Sequence, residues 1–266
     1  SSPMPIMVSQ GVSAIAPPAK LLILGGTTEA NALAQRVAEA CVTAVFSYAG
    51  RVARVAEQPV PVRVGGFGGM EGLVAYLRTE AVTHVVDATH QFAAGMSRNA
   101  VEACGRMSVP LIALTRAPWE PVAGDDWRLV PDIDAAARAL DGPARRVFLA
   151  IGRQNLAGFA VQPQHHYLLR LVDAPSEALH LPDHAVVVAR GPFSEAGDRA
   201  LMEAHEIDVV VSKNAGGAAT SAKLAAARAL GLPVIMIDRP ALPARRETHS
   251  VDEVMRWLHG ATDLGV

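Results

Sequence analysis

The chain has 266 residues, of which 50% are hydrophobic and 19% are charged, and its formal net charge at pH 7 is −2. This composition supports one large or two modest packed domains and excludes a disordered chain. The near-neutral charge excludes a general attraction to nucleic acid or anionic membranes, and no segment reaches the roughly 18 apolar residues of a membrane helix.

The cysteines exclude two further classes. Cys41 and Cys104 are too few and too far apart for a disulfide framework or a zinc site, so we expect a reduced, cytosolic setting and no bound metal. Residues 1–19 are proline-rich and lack periodicity, which predicts a flexible N-terminal tail.

The first predicted strand, Leu21–Leu24, is apolar throughout and runs into Gly25 and Gly26, after which a helical pattern begins. Glycines at such a turn allow close approach of a ligand, and the first N–H groups of the helix can bind a phosphate. Thr27 and Thr28 could add hydroxyl donors or cap the helix. A complete G-x-G-x-x-G fingerprint would carry a later glycine, so a tight turn with a threonine cap is the alternative interpretation.

The second predicted strand, Val42–Tyr48, leads into Ser47-Tyr-Ala-Gly-Arg51. Dinucleotide-binding folds place a carboxylate near this position to select NAD, or an arginine to accept the 2′-phosphate of NADP. The segment has no acidic residue but offers Ser47 and Arg51, with Arg54 one turn later, and therefore favours NADPH. The alternative is that both arginines flank a surface loop.

Two further segments of the first half indicate ligand contact. Val60–Val64 alternates as a short strand, and the following Gly65-Gly-Phe-Gly-Gly69 implies close approach of a ligand or a neighbouring backbone. The strand Thr83–Asp87 ends in Asp87-Ala-Thr-His-Gln-Phe92, and polar residues at this end of a parallel strand lie where open α/β sheets bind ligands. His90 alone would fit equally well as a hydrogen-bonded loop residue.

The remaining pattern of the first half predicts helices over 28–40, 70–80 and 93–107, a strand over 109–115 and a short edge segment over 127–130. After a helix over 132–140 and a hinge at Asp141–Pro143, the alternation restarts. The second half predicts strands over 146–151, 167–172, 185–189, 207–211 and 233–237, and helices over 194–205, 218–230 and 251–259. The expected fold is α/β, with two Rossmann-like open parallel-sheet domains, residues 20–142 and 143–266, and a cofactor and substrate cleft between them.

Two turns of the second half place a cation beside an expected helix N-terminus. They are Gly152-Arg153-Gln154 and Ser212-Lys213-Asn214-Ala-Gly216-Gly217. Both the N–H groups and the helix dipole favour anions there, which predicts a substrate with several carboxylates or phosphates. The alternatives are a solvated Lys213 and a structural ion pair for Arg153.

Other enzyme classes lack their motifs. No tyrosine precedes a lysine at the short-chain dehydrogenase spacing, and neither a P-loop nor a Gly-x-Ser-x-Gly elbow occurs. The motifs that are present leave two interpretations open. One is an NADPH-dependent reductase of a polycarboxylate small molecule, and the other is a non-catalytic dinucleotide-sensing module.

Seven motifs in order, between Leu21 and Asp238, resemble the precorrin-6A reductase family of the cobalamin pathway. They are Gly25–Glu29, Ser47–Arg51, Gly65–Gly69, Asp87–His90, Arg116 with Pro118-Trp119, Gly152–Gln154 and Ser212–Gly217. The sequence departs from the family pattern at Gln91, where the family often has proline.

The resemblance implies that NADPH lies between two α/β domains and gives a hydride to a double bond of the tetrapyrrole precorrin-6A, yielding precorrin-6B. Cofactor contacts are then expected at Gly25, Gly26, Thr27, Thr28, Glu29, Ser47, Tyr48, Arg51, Gly66, Phe67, Gly68, Thr89 and Arg116. Substrate contacts are expected at Arg153, Gln154, Lys213, Asn214, Gly216 and Gly217.

Three side chains, Asp87, His90 and Lys213, are candidates for the proton donor, with water as the fourth. The NADPH preference favours a substrate without cobalt, although the residues do not decide this point. We also expect transfer contacts with neighbouring enzymes of the pathway.

Overall fold

The structure, a computed structural model, describes residues 18–49 and 56–263. Arg51 and Arg54 lie outside the described residues, and so do residues 1–17, which make up most of the expected tail. Across the two described stretches, no helix has the length and apolar character that a membrane crossing needs.

The first sheet has six strands in the order β12-β5-β4-β1-β2-β3, and every pair is parallel. The strands are β1 (Lys20–Leu24), β2 (Thr43–Tyr48), β3 (Val62–Val64), β4 (His84–Asp87), β5 (Leu111–Leu114) and β12 (Arg246–Thr248). This is the doubly wound order. All strands run in the same direction, but the order in which the chain adds them to the sheet reverses between β1 and β4, where such sheets bind ligands.

Helices cover both faces of the first sheet. Two of them, α1 (Thr28–Glu39) and α7 (Val251–Asp263), pack on the face of Ile23 and Phe46. The opposite face receives α2 (Gly69–Thr79) and α3 (Ala94–Met107). Because β1 is buried on both faces after Lys20, its residues Leu21–Leu24 are all apolar rather than alternating.

The second sheet repeats this design with the order β6-β11-β10-β7-β8-β9, again entirely parallel. Its strands are β6 (Trp127–Val130), β7 (Arg146–Ala150), β8 (His166–Leu171), β9 (His184–Val188), β10 (Val209–Lys213) and β11 (Val234–Ile237). One face packs against α4 (Ile133–Ala139) and the 3-10 helix Leu156–Val161, and the other against α5 (Glu195–Ala204) and α6 (Ala222–Leu230).

The expected α/β fold with two parallel-sheet domains is confirmed, but the sheets do not divide the chain at Asp141–Pro143. The segment β6 pairs with β11, with Val130 opposite Ile237, and therefore belongs to the second sheet. The segment β12 pairs with β5, with Thr248 opposite Leu114, so it returns to the first sheet and brings α7 with it. The chain thus crosses between the domains twice, at 116–126 and at 239–245.

A buried ion pair holds the second crossing in place. Arg245, at the end of this crossing, donates to Asp87 at the carboxyl end of β4 over 2.7 Å, and the side chains are 7% and 2% exposed. Removing one partner of such a pair leaves the other charge buried without compensation.

We therefore expect Arg245→Met to lower the free energy of unfolding by about 3 kcal/mol, because the Asp87 carboxylate would lose its counter-ion. Urea denaturation of the purified variant measures this. Arg246→Met is the control, since Arg246 is exposed and should stay within about 0.5 kcal/mol of wild type. Equal stability of the two variants would show that the buried pair does not secure the crossing.

Candidate functional site

The glycine turn after β1 is shaped by its neighbours on β2. The Gly25 N–H donates to the Ser47 carbonyl over 2.9 Å, and a β-carbon at Gly25 would lie 2.1 Å from the Phe46 ring. Gly26 has a φ of +139° and no heavy atom within 4 Å of the place a β-carbon would take. The turn therefore needs both glycines, and the second leaves open space at the start of α1.

The two threonines have different roles. Thr27 caps α1, accepting from the Ala30 N–H at 3.1 Å, and its hydroxyl donates to the Ala88 carbonyl at 2.8 Å. Its hydroxyl is thus committed to the protein, as the cap interpretation expected. Thr28 stays near the surface, where it accepts from Arg116 Nη2 at 3.2 Å.

Arg116 links the end of β5 to the start of α1. Its Nε donates to Glu29 Oε1 over 2.8 Å. Partial burial opposes ionisation of Glu29, but the hydrogen bond and charge of Arg116 outweigh it and lower the pKa of the carboxyl. The expected cofactor residues Thr28, Glu29 and Arg116 therefore form one cluster at the N-terminus of α1.

A cation that the sequence analysis missed lies at the end of β2. Arg63 on β3 is directly opposite Ser47, and its Nη1 donates to Ser47 Oγ over 3.1 Å. The guanidinium also lies 3.9 Å from the centroid of the Phe67 ring. The signal was available, because alternation in the third predicted strand sets Arg63 beside the end of β2 once the two strands are paired in register.

Tyr48, also expected at the cofactor, has its hydroxyl bonded to the Gln58 amide at 2.7 Å, so its visible role is to hold the segment before β3. In the glycine loop, Gly65, Gly68 and Gly69 have positive φ, which explains why glycine occupies these positions. Gly66 has neither a positive φ nor a neighbour within 4 Å of its β-carbon position, so space for a ligand remains the better account of it.

Asp87 is fully engaged. Besides Arg245, its oxygens accept from Ser97 Oγ at 2.6 Å and from the Thr89 hydroxyl and N–H at 2.6 and 3.0 Å. This arrangement favours a structural role for the Asp87 carboxylate, with Thr89 as its hydrogen-bonded partner, over proton transfer.

His90 lies in the loop after β4, near the three cations Lys213, Arg116 and Arg239. Part of the residue is exposed, but desolvation of the ring, followed by the charge of Lys213, lowers the pKa of His90 to about 4. Arg116 and Arg239 act in the same direction. Nδ1 accepts from the Phe92 N–H at 3.2 Å, so the neutral ring carries its proton on Nε2.

Lys213 ends β10 and faces the loop after β4. Its Nζ is 5.4 Å from the centroid of the Phe92 ring, and Phe92 itself packs against the core of the second domain. Burial lowers the pKa of Lys213. The structure thus brings His90 and Lys213 near each other from opposite domains.

The loop after Lys213 docks the domains onto each other. The Asn214 amide pairs with the backbone of Trp119, accepting from its N–H at 2.7 Å and donating to its carbonyl at 2.9 Å. A β-carbon at Gly216 would lie 2.3 Å from the Ala117 carbonyl, and one at Gly217 would lie 3.0 Å from Arg116 Cδ. These contacts account for Asn214, Gly216 and Gly217 without a ligand.

Gln91, the residue that departs from the family pattern, adds to this docking. With its amide oriented so that both the nitrogen and the oxygen form hydrogen bonds, Gln91 donates to the Ala215 carbonyl at 3.2 Å and accepts from the Arg116 N–H at 3.1 Å. Arg239 completes the junction by donating to the carbonyls of Asn214 and Ala215 at 3.0 and 3.2 Å.

The other two expected substrate residues lie elsewhere. Arg153 and Gln154 are exposed in the turn after β7, and Arg153 lines a pocket of about 420 Å³ with Asn155, Glu177 and His180. Neither Lys213 nor His90 lines that pocket. Within residues 18–49 and 56–263, no group of three or more His, Cys, Asp and Glu side chains could hold a metal ion.

Comparison with known proteins identifies the relatives of this chain. A family model described as precorrin-6x reductase CbiJ/CobK matches residues 20–259. A precorrin-6A reductase of Rhodobacter capsulatus is 58% identical over 249 residues, covering 93% of this chain and 99% of that protein. A cobalt-precorrin-6A reductase of Priestia megaterium is 29% identical over 254 residues, covering 91% and 99%. A solved structure of a CobK precorrin-6A reductase is 57% identical and superposes with a TM-score of 0.85, over 91% of this chain and 96% of that one.

The effect of the Lys213 charge on His90 leads to a prediction on pH. Replacing Lys213 by methionine should raise the pKa of His90 from about 4 toward its ordinary 6.5, because a positive charge that opposes protonation of the ring is removed. Titration of the His90 ring by NMR, assigned with a His90→Asn sample, measures this shift. Lys20→Met serves as the matched control, since Lys20 pairs with Glu80 outside the cleft. An unchanged His90 titration in Lys213→Met would contradict the arrangement.

Proposed function

The chain belongs to the CbiJ/CobK family of precorrin-6x reductases of cobalamin biosynthesis, and we propose that it reduces precorrin-6A to precorrin-6B with NADPH. The observation that carries the choice of NADPH is the pair formed by Ser47 and Arg63 at the carboxyl end of β2. A dinucleotide fold reads the 2′ position of the ribose at this place. A hydroxyl beside a guanidinium suits a phosphate, whereas NAD selection would call for a carboxylate.

The first domain offers a fitting cradle for the cofactor. The open space at Gly26 lies against the N-terminus of α1, where free N–H groups and the helix dipole favour the pyrophosphate. Arg63 then holds the 2′-phosphate, with Arg51 as a second candidate outside the described residues. Phe67 supports the Arg63 guanidinium by packing against it. Bound at this edge, the nicotinamide supplies the hydride of the reduction.

The second domain, together with the two crossings, supplies cations for the substrate. Precorrin-6A carries acetate and propionate carboxylates, and the cleft gathers Lys213, Arg116 and Arg239 around His90. The charges of these three groups oppose protonation of His90, in addition to the larger effect of desolvation, and the same charges attract carboxylates. A module that only senses dinucleotides has no need of such a field in its opposite domain.

Reduction adds a hydride to one atom of a double bond and a proton to the other. Among the three candidate side chains, we assign the proton to Lys213. Burial lowers the pKa of its ammonium and so makes the proton easier to release. The neutral His90 and the fully bonded Asp87 are less suited to donate. Water restores the proton to Lys213 after turnover.

The preferred substrate in this proposal is metal-free. The relative named for precorrin-6A is 58% identical to this chain, whereas the one named for the cobalt form is 29% identical. Transfer contacts with other enzymes of the pathway, and a cytosolic location, stay predictions.

The proposal is tested by following NADPH oxidation and tetrapyrrole absorbance together, with precorrin-6A as substrate and NADH as the alternative donor. Wild type should turn over with NADPH, and Arg63→Met should raise the Kd for NADPH at least about tenfold while leaving that for NADH nearly unchanged, because only NADPH carries the 2′-phosphate. Arg78→Met is the control, an exposed arginine on α2 whose Nη2 lies 4.0 Å from the Met107 sulfur.

Two results would count against the proposal. An equal loss of affinity for NADPH and NADH in Arg63→Met would show that Arg63 does not bind the 2′-phosphate. If wild type bound NADPH tightly but precorrin-6A did not react, the cofactor assignment would hold and the substrate assignment would be wrong.

A further inference from the structure

One buried lysine, Lys223, has no counter-ion of its own among the residues that the structure describes. Lys223 is the second residue of α6 and is 5% exposed. Among the described residues, none forms a hydrogen bond or an ion pair with its ammonium, and Nζ lies 4.9 Å from the centroid of the Trp119 ring. A buried ammonium without an anionic partner is costly, so its presence calls for an explanation.

The surroundings of Lys223 add positive charge rather than removing it. Arg170 on β8 is already paired with Asp198 over 2.6 Å, with both side chains less than a tenth exposed, and it lies 3.6 Å from the centroid of the Phe193 ring. One carboxylate therefore serves two cations. The N-terminus of α6 also points its dipole at this region, and Ser221 does not cap it, since its hydroxyl donates to the Ala218 carbonyl.

Lys223 and Arg170 line the same pocket. Its volume is about 220 Å³, and Gly152, Phe193 and Thr220 also contribute to its wall. It lies beyond the carboxyl ends of β7, β8 and β9, and β7 corresponds by its place in the strand order to β1 of the first sheet. Open α/β sheets bind ligands at this edge.

We propose that this pocket receives one carboxylate arm of the tetrapyrrole substrate, with Lys223 as the counter-ion of that carboxylate. The assignment rests on the proposed function for the identity of the ligand. The pocket is smaller than the roughly 300 Å³ at which sites for whole small molecules begin, so it fits a side arm and excludes the macrocycle. The macrocycle would then span from this pocket toward Lys213.

The ionisation of Lys223 agrees with this role. Burial, followed by the charge of Arg170, lowers the pKa of Lys223 to about 8, while Asp198 opposes the shift. The side chain is therefore still mostly protonated at pH 7 and is ready to pair with a carboxylate.

The test is Lys223→Met, which keeps the length and the apolar stem of the side chain and removes its charge. With saturating NADPH, the KM for precorrin-6A should rise about tenfold, with kcat and the Kd for NADPH nearly unchanged. In the same variant, the thermal midpoint of the ligand-free protein should stay level or rise, because an unpaired buried charge is gone. Lys223→Arg, which keeps the charge, should retain more of the substrate affinity.

Lys20→Met is the matched control, with wild-type KM expected. A wild-type KM in Lys223→Met would overturn the inference while leaving the proposed function intact. A fall in thermal midpoint or loss of folded Lys223→Met protein would also overturn it, because the lysine would then be a structural residue. Failure of wild type to turn over precorrin-6A would instead overturn the proposed function, and with it the identity of the arm.

Discussion

The site depends on how two parallel sheets are held with their carboxyl edges facing each other. The Asn214 amide pairs with the Trp119 backbone, Gln91 joins the Arg116 N–H to the Ala215 carbonyl, and Arg239 binds the carbonyls of that same loop. All these contacts involve the loop after β10 or the chain segments near the crossings. Because the chain crosses twice, two covalent connections and this polar junction fix the width of the cleft together.

We propose that cations without close carboxylates mark the ligand-facing surfaces. Arg245 and Arg170 are balanced by buried carboxylates and serve the fold. Lys213 and Lys223 lack such partners among the described residues, and burial lowers the pKa of each. Unbalanced positive charge costs stability in the free protein, and a polycarboxylate ligand would offset that cost. Substrate recognition in this account is therefore largely electrostatic.

The sequence was most informative where local physics determines structure. Buried apolar runs predicted the central strands, and the helix predicted over 194–205 is present as α5, which Ser194 caps by accepting from the Gly197 N–H at 3.0 Å. It was least informative where long-range pairing decides. The strand β12 (Arg246–Thr248) is three polar residues without alternation, so neither its existence nor the return of the chain to the first sheet could be predicted. The position of Arg63 beside Ser47 could be predicted only with the register of β2 and β3. The docking role of Gln91 could be predicted only once the contact between the two domains was known.

The most direct test of the account is the path of the hydride between the two edges. Precorrin-6A would be reduced with NADPH deuterated at C4, one face at a time, and the tetrapyrrole product would be analysed by mass spectrometry. Direct transfer across the cleft predicts a single deuterium in the product from one of the two labelled forms and none from the other. Full conversion without deuterium from either form would contradict a cleft that brings cofactor and substrate into contact.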